Sequence, residues 1–367
     1  MRTHRRGRLT GWRAVVLSAS LLGACGPLEE RTGAPPVDEK PARDAVAGDV
    51  VVTLSTPHPS WGASEKVRVT VTLTNLSKDG VRVLEWHTPV EGLKADLFAI
   101  TVDGVAVEYQ GRHYKWATPV ESDYLRLAAG ESVSYPVDLG ATYDFSRTGT
   151  YRVRFDPDAH GATASQLRSD TLDLVVEGRP FVDPGTEQAG PVSAMSLSTK
   201  NCSTTQTSVA TVAYNEAMSM SQGALGHLLA LSTPSPSLFT HYALWFGTST
   251  PTNQNVVRAH FNAILAAFRD KPVVIDCGCT DSAYAYVYKN QPYRIYVCNA
   301  FWTAPMTGRD SKAGTLIHEL SHFTVVADTD DWAFGHDACK SLAVYNPSRA
   351  RDNADSHQYF AENTPLR

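Results

Sequence analysis

"AGTLIHELSHF", residues Ala313–Phe323, places two histidines four positions apart, with a glutamate beside the first, inside an apolar run. Asp310 or Ser311 can cap a helix here, and Leu316, Ile317, Leu320 and Phe323 supply its apolar face. The spacing predicts a helix over 311–325 on which His318 and His322 lie one turn apart and project together. Two imidazoles so placed can ligate a zinc ion, and Glu319 on their flank can act as general base toward a water at that ion. A catalytic zinc needs a third protein ligand, with the fourth position left for water. Six residues past His322 stands Asp328, not a histidine, and no glutamate follows at two further helical turns. The acidic cluster Asp328, Asp330 and Asp331 therefore holds the candidates for the third ligand.

Outward from this helix, residues 199–367 carry mostly helical patterns, at 203–220, 253–270 and 335–345. Short strand-like runs, "PVVIDCGC", "AYAYVY" and "RIYVC", lie among them, so the expected class is α+β dominated by helices. A proline- and glycine-bearing linker, 178–198, precedes that domain and holds a candidate processing site in "LSTKNC" before Lys200. Residues 49–177 read differently. "KVRVTVTLTNLS", "LFAITVDGVAVEY" and "GTYRVRFDP" alternate with period two and are broken by turns such as Asp103-Gly104, which predicts an all-β sandwich of immunoglobulin type.

The first 25 residues read as a signal peptide: five arginines, then the short apolar core "AVVLSASLLGA". They end in Leu22-Gly23-Ala24-Cys25, similar to a bacterial lipobox in which Cys25 is lipidated. Residues 26–48, rich in proline and charge, form a flexible linker from that anchor. The expected localisation is export from a bacterial cell as a membrane-anchored lipoprotein, with release of the C-terminal domain if the linker is cut. Export puts Cys202, Cys277, Cys279, Cys298 and Cys339 in an oxidising compartment, where five thiols make two disulfides and one remainder. The 33 basic and 38 acidic residues are spread along the chain, which leaves no basic footprint for nucleic acid. Protein or peptide substrates met by a monomer are the expected partners, and contact with a membrane is expected only through the anchor.

"GTLIHELSHF" followed by "DTDDWAFG" resembles the aspzincin (deuterolysin) metallopeptidases, whose signature is HExxH followed by GTxDxxYG. The resemblance is closest to the peptidyl-Lys metalloendopeptidases and extends through "CGCTDSAYAYVY", "IYVCNAFWTAPMTGRDSKAGTL" and "NADSHQYFAENTP". It implies a zincin-like fold, one Zn2+ per catalytic domain held by His318, His322 and Asp331, with Asp330 the second choice, and Glu319 as base. It pairs Cys202 with Cys277 and Cys279 with Cys298, leaving Cys339 free, and likens the β-region to a propeptide. It further implies cleavage on the amino side of lysine, with Asp355 and Gln358 in the specificity pocket; the plainer role for Asp355 is a helix cap.

Three positions depart from the pattern. Phe334 stands where the family has the tyrosine that donates to the oxyanion, a donor worth a hundredfold or more in rate; Trp332 and His336 are its nearest polar neighbours in sequence. Gln358 stands where the family has a glutamate, and Asp328 replaces the first glycine of GTxDxxYG, a position aspartate can fill if φ is positive. Phe334 also defines the rival reading, a surface lipoprotein that binds zinc and lysine-containing peptides without turning them over.

Overall fold

The computed structural model describes residues 41–157, 166–182, 184, 197–231 and 236–364. Residues 1–40, which carry the expected signal peptide and Cys25, lie outside the described residues. Lys40–Arg367 forms one compact unit.

Its N-terminal half carries β1 (Arg43–Asp44), β2 (Val50–Ser55), β3 (Ser60–Trp61), β4 (Arg68–Asn75), β5 (Val81–Leu84) and β6 (Phe98–Val102). Then come β7 (Val105–Ala106), β8 (His113–Lys115), β9 (Tyr124–Leu127), β10 (Ser132–Asp138), β11 (Gly149–Phe155) and β12 (Leu172–Val176). β4 shows why the pattern works: Val69, Val71 and Leu73 are buried while Arg68, Thr70 and Thr72 face outward. Its outer face is a ladder of hydroxyl pairs with β10, Thr72 with Ser134 and Thr74 with Ser132, each at 2.8 Å. The sheet β10-β4-β2 and the sheet β3-β12-β11-β6-β7 close over one core that includes Val71, Ile100, Tyr151 and Leu174, with β1-β5-β9 beside them.

The C-terminal half runs β13 (Ser198–Lys200), α1 (Thr204–Ala230), α2 (Pro236–Phe246), α3 (Pro251–Asp270), β14 (Val274–Asp276), β15 (Ala285–Val287) and β16 (Arg294–Val297). It continues with α4 (Asn299–Thr303), α5 (Lys312–His322), α6 (His336–Tyr345), α7 (Pro347–Arg351) and α8 (Ala354–Glu362). Helices surround a central α5, all of whose residues are buried. Two disulfides staple this half, Cys202–Cys277 and Cys279–Cys298, leaving in different directions from the Cys277-Gly278-Cys279 run.

The sheet of this half has the order β13-β14-β16-β15-β8, and β8 comes from the other half of the chain. His113, Tyr114 and Lys115 pair antiparallel with Val287, Tyr286 and Ala285. This strand ties the β-region to the sheet of the C-terminal half, to a pairing partner some 170 residues downstream. Two expectations shift. α1 runs ten residues past Met220, because Ala224 and Leu228 continue its buried stripe. α5 stops at His322 rather than residue 325, because Phe323 turns to an extended ψ of 130°.

Candidate metal centre and substrate cleft

α5 starts on the Ser311 hydroxyl, which accepts from the Gly314 amide at 2.9 Å. Gly314 also lets α8 approach: a Cβ there would meet the Glu362 carboxylate at 1.9 Å and the Gln358 side chain at 2.9 Å. One turn apart at the other end, His318 Nε2 and His322 Nε2 stand 3.1 Å from each other, both side chains fully buried.

The chain then folds back through Asp328, whose φ of 52° is the left-handed conformation that a glycine adopts at no steric cost and aspartate tolerates. Thr329 anchors the return: its amide donates to Ser321 O, and its carbonyl receives the Nδ1–H of His322 at 2.8 Å. Asp331 thereby reaches both rings, 3.3 Å from His318 Nε2 and 3.4 Å from His322 Nε2. The carboxylate of Asp330 instead takes Lys289 at 2.9 Å, which also pairs with Asp328. Of the acidic cluster, Asp331 alone joins the histidines.

These three spacings suit a small cation. Bonds of 2.0–2.1 Å in a tetrahedron separate the donor atoms by about 3.3 Å. The second nitrogen of each ring is engaged outward, His322 by Thr329 O and His318 by Asp355 Oδ1 at 2.8 Å, which turns both Nε2 atoms inward. Burial works against a charged His322, yet the neighbouring Asp331 carboxylate outweighs it and pushes the imidazole up to about 9. A cation entering the site must displace that proton, so its binding is pH-dependent. Beside the ligands, Glu319 is fully buried, and neither of its carboxylate oxygens has a hydrogen-bond partner among the described residues. Burial drives its carboxyl well above the usual range. An orphaned buried carboxyl next to three converging donors is what a site completed by a cation and a water requires.

Asp355 is more than a helix cap. Its Oδ1 accepts from Lys115 Nζ at 2.6 Å as well as from His318, and its Oδ2 accepts from the Gly335 amide at 2.8 Å. Both partners of this ion pair are buried, with 2% and 1% of their side chains exposed. Burial alone would raise the Asp355 carboxyl; the Lys115 ammonium and the bond from His318 hold it below the ordinary carboxylate range. The rings of Tyr284 and Tyr359 stand 5.6 and 5.7 Å from the ammonium. Gln358 donates through Nε2 to Glu362 Oε1 at 3.0 Å, and its own Oε1 is left without a partner among the described residues.

Phe334 packs on the aromatic cluster that includes Trp86 and Tyr114 and, with Asp331 and His113, lines a cavity of about 350 Å³. Neither neighbouring polar ring replaces the missing hydroxyl: the Trp332 indole donates to Asp352 at 2.9 Å, and His336 packs on Trp245 and Tyr359. Cys339 is a buried free thiol that accepts from Asn353 and donates to Ala333 O, holding the turn to α8.

Comparison with known proteins fits these residues to a family. An extracellular protease of Aeromonas hydrophila is 39% identical over 316 residues, which cover 83% of this chain and 90% of the relative. The chain belongs to the aspzincin family. The family model described as lysine-specific metallo-endopeptidase matches residues 232–362 of this aspzincin. The peptidyl-Lys metalloendopeptidase of Armillaria mellea is 32% identical over 318 residues, 82% of this chain and 88% of its own. A zinc peptidase of Grifola frondosa with a solved structure is 40% identical and is covered over 99% of its length by 45% of this chain, with a TM-score of 0.42. This aspzincin is a metalloendopeptidase.

Sequence reading missed His113, Lys115 and Glu362. Nothing local in "GRHYKWA" marks a strand bound for another sheet. Glu362 did have a signal, since it lies four residues past Gln358 on the same helical face.

Proposed function

We propose that this aspzincin is an exported, zinc-dependent endopeptidase that cleaves peptide bonds on the amino side of lysine, made in a form whose own β-region fills the cleft. The observation that carries the reading is the buried pair of Lys115 with Asp355: a lysine of this chain, delivered on an extended strand, already occupies the pocket beside the histidines. A protein substrate would take the same route, adding a strand to β15 and sinking its lysine toward Asp355 between Tyr284 and Tyr359.

His318, His322 and Asp331 are the residues that would hold the ion. Zinc there supplies Lewis acidity and makes water a nucleophile near neutral pH. Glu319, buried beside the ion's position and unpartnered, would accept as carboxylate the proton of the attacking water and pass it to the leaving amine. Asp355 has two tasks, fixing the His318 ring through Nδ1 and neutralising the substrate ammonium. Gln358 leaves the pocket one carboxylate short of the family's pair, although Glu362 is close enough in α8 to bond it.

The β-region reads as a propeptide of immunoglobulin type, a reading supported by its two sheets over one core. Export is supported by the extracellular character of the Aeromonas relative, and lipidation at Cys25 rests on the lipobox alone. The test is digestion of peptides that differ only in carrying lysine, arginine or norleucine at one position, using processed protein. Cleavage before lysine, lost on treatment with a zinc chelator and restored by Zn2+, is expected, with norleucine cut at least a hundredfold more slowly. Equal cleavage of all three peptides would refute the assignment of Asp355.

A further inference from the structure

Along β8, side chains alternate between faces. Tyr114 turns into an aromatic cluster with Trp86, Trp116 and Tyr286, while His113 and Lys115 share the face toward the cleft. Lys115 ends on Asp355; His113 ends beside His322. Its ring centroid is 5.5 Å from that of His322, and one ligand atom from each of His113, His322 and Asp331 lies within 4.8 Å of the other two. The ring of Tyr109 stands edge-on to His113 at 5.6 Å and backs it from the side of the β-region.

We propose that His113 is a fourth protein ligand to the catalytic metal in the unprocessed chain, occupying the position that water needs for catalysis. The inference rests on the metal reading of His318, His322 and Asp331. Three protein ligands and one open position characterise catalytic zinc; four protein ligands characterise structural zinc, which is inert. The same ion would then be structural while β8 is in place and catalytic once β8 leaves. This explains how a lysine can rest in a lysine-cleaving pocket uncut: what faces the ligands is an imidazole, and the strand is held on both sides of Tyr114, by Lys115 in the pocket and His113 at the metal. A pocket filled by lysine alone would still leave room for water at the ion.

The test uses the full chain, with Glu319→Gln to keep it intact, loaded with Co2+ and titrated with azide while the visible spectrum is followed. The cavity that reaches both His113 and Asp331 gives a small anion a path, so a silent titration reports coordination rather than exclusion. The parent chain is expected to keep its spectrum, and the His113→Ala chain to change its spectrum with azide and to lose metal to a chelator at least about tenfold faster. A second variant, His113→Cys, is expected to add a thiolate-to-cobalt charge-transfer band in the near ultraviolet. Azide changing the parent spectrum as readily as that of His113→Ala, or no such band in His113→Cys, would overturn the fourth ligand while leaving the three-ligand site intact. Failure of every chain to bind Co2+ would overturn the metal site itself, and the fourth ligand with it.

Discussion

At the scale of single residues, Phe334 is the position where this chain gives up something its family pattern has. The ring sits at the cavity beside Asp331, and the nearby Trp332 indole is committed to Asp352. Restoring a hydroxyl should therefore add a donor that no neighbour now supplies. Phe334→Tyr in the processed enzyme is expected to raise kcat by about a hundredfold with KM little changed, the signature of an interaction made in the transition state only. A rise confined to KM, or none, would show that the oxyanion is met from elsewhere. His318, Glu319 and His322 were legible in sequence because one helical turn fixes their relation. Asp331 needed the family pattern to be chosen over Asp330, since what separates them is the ion pair of Asp330 with Lys289, forty-one residues away.

At the scale of elements, the joint between α5 and α8 carries both the proposed ligand histidines and Asp355, and Glu362 seals it. Its carboxylate accepts from the Ser311 amide and hydroxyl at 2.9 and 2.8 Å and from Gln358. Burial nevertheless pushes it up from 4.5 to about 7. Below pH 4.5 the group is protonated in the folded and unfolded chain alike. As pH rises toward 7 the unfolded chain ionises first, so stability falls across that window and then levels, by about 3 kcal/mol for a gap of this size. Denaturant unfolding of the wild type and Glu362→Gln from pH 4 to 8 should show the difference between them shifting in favour of the variant by about that amount; parallel profiles would contradict it. β4, β6, β11 and the helices α1, α3, α5 and α6 were readable from period and caps, whereas α2 was not read. β8 was not, because three residues that pair far along the chain leave no periodic signal of their own.

At the scale of the whole molecule, the two halves are joined by a buried charge pair as well as by a shared sheet. Removing one partner of such a pair strands the other charge, at a cost of 3–5 kcal/mol. Lys115→Met keeps the length of the side chain and should destabilise the unprocessed chain by about 3 kcal/mol, the low end, since His318 and Gly335 still bond Asp355. Melting of the chain with and without the substitution checks this, and an unchanged melting temperature would mean that Lys115 adds nothing to the hold of the β-region.

The order β13-β14-β16-β15-β8 has a kinetic consequence. Lys200, which follows the candidate processing site, ends β13 at one margin of the sheet; β8 is the opposite margin, four strand spacings or about 19 Å away. A chain cannot bring its own Lys200 to its own cleft without dismantling the sheet between them. Self-processing at this candidate site would then be an encounter between two molecules, one already open. Its time course should be autocatalytic: a lag, an acceleration, and a half-time that shortens as the chain is concentrated and collapses when a trace of processed enzyme is added. Gel time courses over a hundredfold range of concentration would reveal a unimolecular process by a half-time that does not move.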